Sequence, residues 1–309
     1  MAKPLPPVAL IAGPTASGKS ALALALAQAT GGAIVNADSA QFYCDIPIVS
    51  AAPSPADRAR ADHRLYDARS GSDPCSAAEW ARLAKAEIAD LHAAGRLPIL
   101  VGGTGLYLRT LLDGIAPVPP IDPAIRAAVR AADVSENHAA LSQLDPAAAA
   151  SLSPGDTTRI ARALEVVRSS GRTLASWQER SEGGIASQIA LRPLILLPPR
   201  DWLIERCDRR FAAMIDGGAV AEVETLLARN LNPQLPVMRA IGVPELAAMI
   251  RGELTREQAI TAGQLATRRY AKRQYTWFSN QPPPDWPRFT EPLDARNIDA
   301  ALALLMVTG

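Results

Sequence analysis

The distribution of apolar positions alternates between short strand-like runs and longer helical stretches. Residues 8–12 form an apolar run that predicts a buried strand. Residues 21–29 alternate alanine with leucine, a period of two, but both are strong helix formers and no β-branched residue intervenes, so a helix is predicted, ended by Gly31-Gly32. A second strand is read at 33–37 and a third at 97–101. Between them, residues 44–75 read as loop, with Pro47, Pro53, Pro55 and Pro74, and residues 76–95 as an amphipathic helix with Trp80, Leu83, Ala84, Ile88 and Leu91 on one face. Strands alternating with helices predict a parallel α/β sheet.

The texture changes at about residue 115. Pro117, Pro119, Pro120 and Pro123 mark the entry, and no strand-like run follows up to about residue 184. Helix starts are predicted at Asp122-Pro123, Asp145-Pro146 and Asp156, all N-cap types, two with proline at the first helical position. A strand returns at 192–197, followed by helices at 202–215 and 219–229 and a loop around Pro233 and Pro236. A long helix at 255–280 opens on the capping pattern Thr255-x-x-Gln258 and is broken by Pro282-Pro283-Pro284; a terminal helix is expected at 300–306. The expected organisation is an α/β core from residues 1–115 and 185–309, interrupted by an all-helical insertion at 116–184.

Chemistry enters at Gly13-Pro14-Thr15-Ala16-Ser17-Gly18-Lys19-Ser20, which lies between the first strand and the first helix. G-x-x-x-x-G-K-S in that context is a P-loop: backbone N–H groups curl around a phosphate, the helix N-terminus faces it, Lys19 adds charge and the Ser20 hydroxyl is placed to ligate Mg²⁺. The core is therefore expected to be nucleoside-triphosphate-hydrolase-like. Asp38 follows the second strand and so shares the carboxyl edge of the sheet with this loop, although a helix-capping or turn role explains its position equally well. Gly102-Gly103-Thr104-Gly105 follows the third strand; its glycines imply a close backbone approach, and the strand lacks the terminal aspartate of a Walker B segment.

Arg206 and Arg210 stand one helical turn apart, as a clamp for a diphosphate or as partners of Glu205 and Asp208. Arg159, Arg162 and Glu165 share a face, for which solvation is the simpler explanation. Arg268, Arg269, Lys272 and Arg273 interleave with Tyr270, Tyr275, Trp277 and Phe278, consistent with RNA contact or with an ordinary amphipathic helix.

A net charge of +1 gives no global case for nucleic acid, so any such surface is a local patch. Cys44, Cys75 and Cys207 are far apart and do not cluster with the histidines, which supports neither zinc nor a disulfide framework. Without a signal-peptide pattern or a membrane-length apolar run, the expectation is a soluble cytoplasmic protein.

Several motifs now stand in order: the P-loop, Asp38-Ser-Ala-Gln-Phe-Tyr43, Val101-Gly-Gly-Thr-Gly-Leu-Tyr-Leu108, Arg162-Ala-Leu-Glu-Val166, Arg239-Ala-Ile-Gly242 and Tyr270-Ala-Lys-Arg-Gln-x-Thr-Trp-Phe278. Together they resemble the bacterial tRNA dimethylallyltransferases, or isopentenyltransferases, over nearly the whole chain. The resemblance implies transfer of a dimethylallyl group from dimethylallyl diphosphate to N6 of the adenosine 3′ to the anticodon of tRNA, giving isopentenyladenosine and diphosphate. It implies Asp38 as general base, Thr104 at the base, and Arg206 on the diphosphate beside Gly13 to Ser20 and Arg210. It further implies Mg²⁺ on Ser20 and contacts to the tRNA anticodon stem-loop from Asp38, Ser39, Ala40, Gln41, Thr104, Arg126, Arg162, Ala163, Leu164, Glu165 and Val166, in a monomer.

The chain departs from the family pattern at Ala40, at Cys44 where arginine is usual, and at Ala52 where a basic residue is usual. Three alternatives remain on the residues alone. A P-loop kinase of a small metabolite would bind ATP and recruit Asp38 to Mg²⁺, a free adenine nucleotide could replace tRNA as acceptor, and a non-catalytic RNA-binding module would leave the P-loop unexplained.

Overall fold

The computed structural model describes residues 4–306. By their contacts the described residues divide into two units, 4–111 with 186–306, and 112–185.

The first unit opens with β1 (Pro7–Ala12), α1 (Lys19–Thr30), β2 (Ala33–Asn36), α2 (Pro55–Arg60), β3 (Asp62–Arg64), α3 (Ala77–Ala93), β4 (Pro98–Gly102) and α4 (Gly105–Asp113), whose last turn carries the chain into the second unit. Leu22, Ala23, Leu24, Leu26 and Ala27 of α1 are all buried, so a helix covered on most sides needs no 3.6-residue period in its sequence. On α3, by contrast, Trp80, Ala84, Ile88 and Leu91 form one buried stripe, and Ser76 caps its N-terminus.

The second unit consists of a two-residue strand β5 (Gly114–Ile115), helices α5 (Pro123–Ala131), α6 (Val134–Leu144), α7 (Pro146–Ser151), α8 (Thr157–Ser170) and α9 (Leu174–Gln178), and β6 (Glu182–Gly183), which pairs antiparallel with β5. Asp122, Asp145 and Asp156 cap α5, α7 and α8 through their carboxylates, as their spacing before proline or threonine predicted. Val129, Leu141, Ile160, Ala161 and Leu164 form its apolar core.

Back in the first unit, the chain continues through β7 (Ala190–Leu196), α10 (Arg200–Met214), α11 (Val220–Ala228), α12 (Val243–Ile250), α13 (Arg256–Asn280), β8 (Arg288–Phe289) and α14 (Ile298–Met306). A π-helical turn at Ile215–Ala219 joins α10 to α11, with Gly218 at a φ of 106°. Thr255 and Gln258 form the expected capping box on α13.

The strands make one parallel sheet in the order β3-β2-β4-β1-β7-β8. Its centre is the set of apolar runs legible in the sequence. Both edges lie where the sequence predicts none: β3 falls inside the expected loop 44–75, and its three residues are all polar; β8 is two residues long. Helices α2 and α12 were likewise missed, because six and eight residues are too few to show a period. The paired β5 and β6 correct the expectation that no strand occurs between residues 115 and 184.

Candidate active site

The P-loop emerges at the carboxyl end of β1, which lies between β4 and β7 and runs parallel to both. Gly13 has a φ of 149°, and a Cβ there would lie 2.4 Å from the Leu196 carbonyl oxygen, so only glycine lets the chain turn this close to β7. Ala16 adopts a left-handed φ of 64° and Gly18 precedes the first turn of α1. Lys19 folds back and donates from Nζ to the Pro14 carbonyl at 2.7 Å. Burial lowers its pKa to about 8, partly offset by the charge of Asp38 and reinforced by Arg210. The Ser17 hydroxyl is buried without a partner among the described residues, and Ser20 is exposed at the start of α1.

Asp38 follows β2, and the wholly buried Asn36 fixes it. The Asn36 Oδ1 accepts the Asp38 N–H at 2.8 Å, and its Nδ2 donates to the Asp38 carbonyl at 3.0 Å and to the Leu65 carbonyl at 2.9 Å. Asp38 Oδ1 accepts the Ala40 N–H at 3.0 Å. Thr104 Oγ1 accepts the Ser39 N–H at 3.0 Å, tying the loop after β4 to the loop after β2. The Gln41 side chain is turned toward the protein, donating to the carbonyls of Ser50 and Ala51 at 3.0 and 2.9 Å. Glu222 of α11 secures the same loop by accepting the N–H groups of Ile48 and Val49 at 2.7 and 2.8 Å. Burial raises the pKa of Glu222.

The close approach implied by Gly102-Gly103 is to the protein itself. A Cβ on Gly102 would lie 2.1 Å from the Ala37 carbonyl oxygen, and one on Gly103 would lie 2.3 Å from Gln274 Nε2. Gln274 is buried on α13. Its Oε1 accepts the Thr15 N–H and its Nε2 donates to the Gly103 carbonyl, both at 2.8 Å, so one carboxamide joins the P-loop to the Thr104 loop.

On α10, Arg210 donates to the Thr15 hydroxyl, and Arg206 stacks on Trp202 with its guanidinium carbon 4.6 Å from the ring centre. Neither pairs with Glu205 or Asp208: Arg209 takes Glu205 at 3.8 Å, and Arg268 of α13 takes Asp208 through Nε at 2.8 Å. Burial lowers the pKa of both Arg206 and Arg210. Both guanidinium groups therefore line the P-loop cavity without a carboxylate partner among the described residues.

Two cavities meet here. One, of about 380 Å³, is lined by Thr15 to Ala21, Asp38, Tyr66, Arg206 and Arg210. The other, of about 340 Å³, is lined by Tyr43, Val49, Tyr107, Phe211, Tyr270 and Arg239, among others. Thr15, Asp38, Ser50 and Arg210 line both. A polar cationic chamber and an aromatic chamber thus share a wall that carries one carboxylate. Among the described residues no group of three His, Cys, Asp or Glu side chains is arranged to hold a metal, and no helix is long and apolar enough to cross a membrane.

The remaining candidates lie in the other unit. Arg126 is exposed on α5. On α8, Ala163 and Leu164 belong to the apolar core, Val166 is buried, and burial lowers the pKa of Arg162. Glu165 is buried and accepts from Arg130 Nε at 2.6 Å, which corrects the reading of that face as simply solvated. Sequence reasoning passed over Asn36, Gln274 and Glu222. Asn36 carries a signal, a polar residue ending an apolar strand; Gln274 sits four residues after Tyr270 inside the Tyr270–Phe278 motif; Glu222 carries none.

A model of the IPP transferase family matches residues 41–281. The chain is 64% identical over 293 residues to a protein of Sphingopyxis alaskensis named tRNA dimethylallyltransferase, covering 94% of this chain and 96% of that one. The fold is similar to the full-length tRNA isopentenylpyrophosphate transferase of Bacillus halodurans, with a TM-score of 0.70, 31% identity, and coverage of 96% of this chain and 94% of that one. It is also similar to a eukaryotic dimethylallyltransferase crystallised acting on tRNA, with a TM-score of 0.76, 28% identity, and coverage of 88% of this chain and 69% of that one.

Proposed function

The chain belongs to the IPP transferase family, and from that premise we propose how its residues carry out tRNA dimethylallyl transfer. The enzyme moves the dimethylallyl group of dimethylallyl diphosphate to N6 of the adenosine 3′ to the anticodon, releasing diphosphate. The observation that carries the residue assignment is the wall of Thr15, Asp38, Ser50 and Arg210 common to both cavities.

Diphosphate occupies the P-loop cavity. The N–H groups of Gly18, Lys19 and Ser20 at the start of α1, with the side chains of Lys19, Arg206 and Arg210, face the charge that grows on the leaving oxygens as the C1–O bond breaks, which is where fixed donors lower a barrier most. The adenine and the dimethylallyl chain occupy the aromatic cavity, where Tyr107, Phe211 and Tyr270 offer apolar walls. Adenine N6 is a weak nucleophile because its lone pair is delocalised into the ring. Asp38 accepts its proton as the C–N bond forms, a role typically worth about 10²–10⁴-fold in rate. Asn36 and the Ala40 N–H hold that carboxylate in place, and Thr104 orients the Ser39 backbone beside it. The base must leave its stack to reach Asp38, at a cost of a few kcal/mol offset by contacts along the RNA.

Mg²⁺ would be held by the Ser20 hydroxyl together with the diphosphate, since no carboxylate cluster is arranged for it among the described residues. When bound it neutralises charge on the leaving group. In the helical unit, Arg126 and Arg162 supply charge to the anticodon stem-loop, while Ala163, Leu164, Glu165 and Val166 set the position of Arg162 from inside.

The test is a reaction with unmodified tRNA and Mg²⁺, using either dimethylallyl diphosphate or ATP as donor, followed by digestion and mass measurement of the nucleosides. An adenosine heavier by one isopentenyl group, formed only with dimethylallyl diphosphate, is the expected outcome. ATP consumption with a small acceptor and no modified adenosine would instead make this P-loop a kinase site.

A further inference from the structure

The chain around Tyr66 is strained to hold it. Leu65 and Asp67, on either side, both adopt left-handed backbone, with φ of 59° and 48°. Non-glycine residues rarely occupy that region, and two so close together persist only where surrounding contacts enforce them. Those contacts are present. Asn36 Nδ2 donates to the Leu65 carbonyl at 2.9 Å, the Asp67 N–H donates to the Gln41 carbonyl at 3.1 Å, and Arg58 pairs with the Asp67 carboxylate. The other Asp67 oxygen is buried with no partner among the described residues, a second cost of this turn.

The result is a tyrosine ring directed into the P-loop cavity, which Tyr66 lines with Lys19, Asp38, Arg206 and Arg210. His63 packs edge-on against the ring, at 5.4 Å between centres, and Arg58 lies 5.8 Å from its centre. Asn36 therefore fixes both ends of one arrangement, since the same side chain holds the Asp38 backbone and the Leu65 carbonyl. Among the described residues the Tyr66 hydroxyl feels burial and the charges of Asp38 and Arg58, with no hydrogen bond to either. Burial, and after it the negative charge of Asp38, raise its pKa, so it is a protonated donor throughout the neutral range. A diphosphate is an acceptor-only group, and an unused donor in its chamber has one evident partner.

We propose that Tyr66 is a further catalytic residue, donating a hydrogen bond from its hydroxyl to the departing diphosphate. This rests on the assignment of the P-loop cavity to diphosphate given above. The competing explanation is that the ring only packs against the apolar cluster around Ile34 and Val101.

Tyr66→Phe separates the two, because it keeps the ring and its contact with His63 and removes only the hydroxyl. Inorganic diphosphate binding is measured by calorimetry in Mg²⁺, beside steady-state kinetics and thermal unfolding. Loss of a hydrogen bond to a charged group weakens binding by about 10-fold. The expected result is therefore about a 10-fold weaker diphosphate affinity and a comparable fall in kcat, with the KM for tRNA and the Tm unchanged. Diphosphate affinity and kcat both within twofold of the unaltered protein would overturn the proposal and leave Tyr66 a packing residue. Failure of the unaltered protein to bind diphosphate would overturn the cavity assignment as well, and so is distinguishable from failure of the Tyr66 role alone.

Discussion

Gln274 on α13 accepts a hydrogen bond from the backbone N–H of Thr15, 259 residues earlier in the chain, at 2.8 Å. The other end of the same amide donates to the Gly103 carbonyl. A P-loop is usually shaped by its own turn and the helix that follows; here its second residue pair is also held from the far end of the sequence. The consequence is that α13, far from the P-loop in sequence, helps set the shape of that loop.

Gln274→Met keeps the length of the side chain and removes both hydrogen bonds. It leaves a half-buried N–H and a buried carbonyl unpaired, for an expected loss of about 1–3 kcal/mol in stability. The KM for dimethylallyl diphosphate should rise, because Thr15 is no longer fixed. Urea unfolding and initial rates are the measurements; unchanged values of both would mean the clasp is incidental.

How far this was legible follows from the physical character of each part. The P-loop turn and the placement of Asp38 and Thr104 could be read because they are local: glycine at a close approach, a polar residue at a strand's carboxyl end. The central strands β1, β2 and β4 and the second half of β7 could be read because burial on both faces writes a continuous apolar run. Edge strands β3 and β8 could not, since pairing on one side only asks little of the side chains. Contacts such as Gln274 with Thr15 or Glu222 with Ile48 depend on distant elements meeting, and nothing in the local spacing announces them.

Asp38→Asn tests the proposed base with little disturbance, because an asparagine oxygen can still accept the Ala40 N–H that Asp38 Oδ1 now accepts at 3.0 Å. The amide cannot take the N6 proton. The rate of transfer should fall by about 10²–10⁴-fold, with tRNA and diphosphate affinities changed by no more than a few-fold. Turnover close to that of the unaltered protein would remove Asp38 from the role.

Lys19 makes a prediction about pH. Its folded pKa is about 8, against an ordinary value of 10.5. Between those two values the unfolded chain holds a proton that the folded chain has released, so stability rises with pH across that window. Below pH 8 the buried ammonium works against the fold, by about 1–3 kcal/mol. In the absence of diphosphate, Lys19→Met should therefore be more stable than the unaltered protein at pH 7, an advantage that narrows toward pH 10. Its diphosphate affinity should be much weaker at pH 7. In the unaltered protein that affinity should decline above about pH 8, whereas the variant should show no such decline. Thermal unfolding and calorimetry at several pH values measure both, and a variant less stable than the parent at pH 7 would contradict the argument.

The ion pair in the helical unit predicts an asymmetry. Arg130 and Glu165 meet at 2.6 Å, but the arginine side chain is 49% exposed and the glutamate 1%. Removing the glutamate leaves a cation that can turn to water along its own flexible stem. Removing the arginine leaves a carboxylate with nowhere to go. Arg130→Ala should thus cost about 3 kcal/mol, and Glu165→Ala should cost distinctly less. Because α8 also carries Arg162, both changes should weaken tRNA binding while sparing diphosphate binding, which depends on residues of the other unit. Denaturation curves give the first comparison, and filter binding with calorimetry gives the second. Equal costs for the two substitutions would mean Glu165 is hydrated in solution, and an undiminished tRNA affinity in both would detach the order of α8 from RNA recognition.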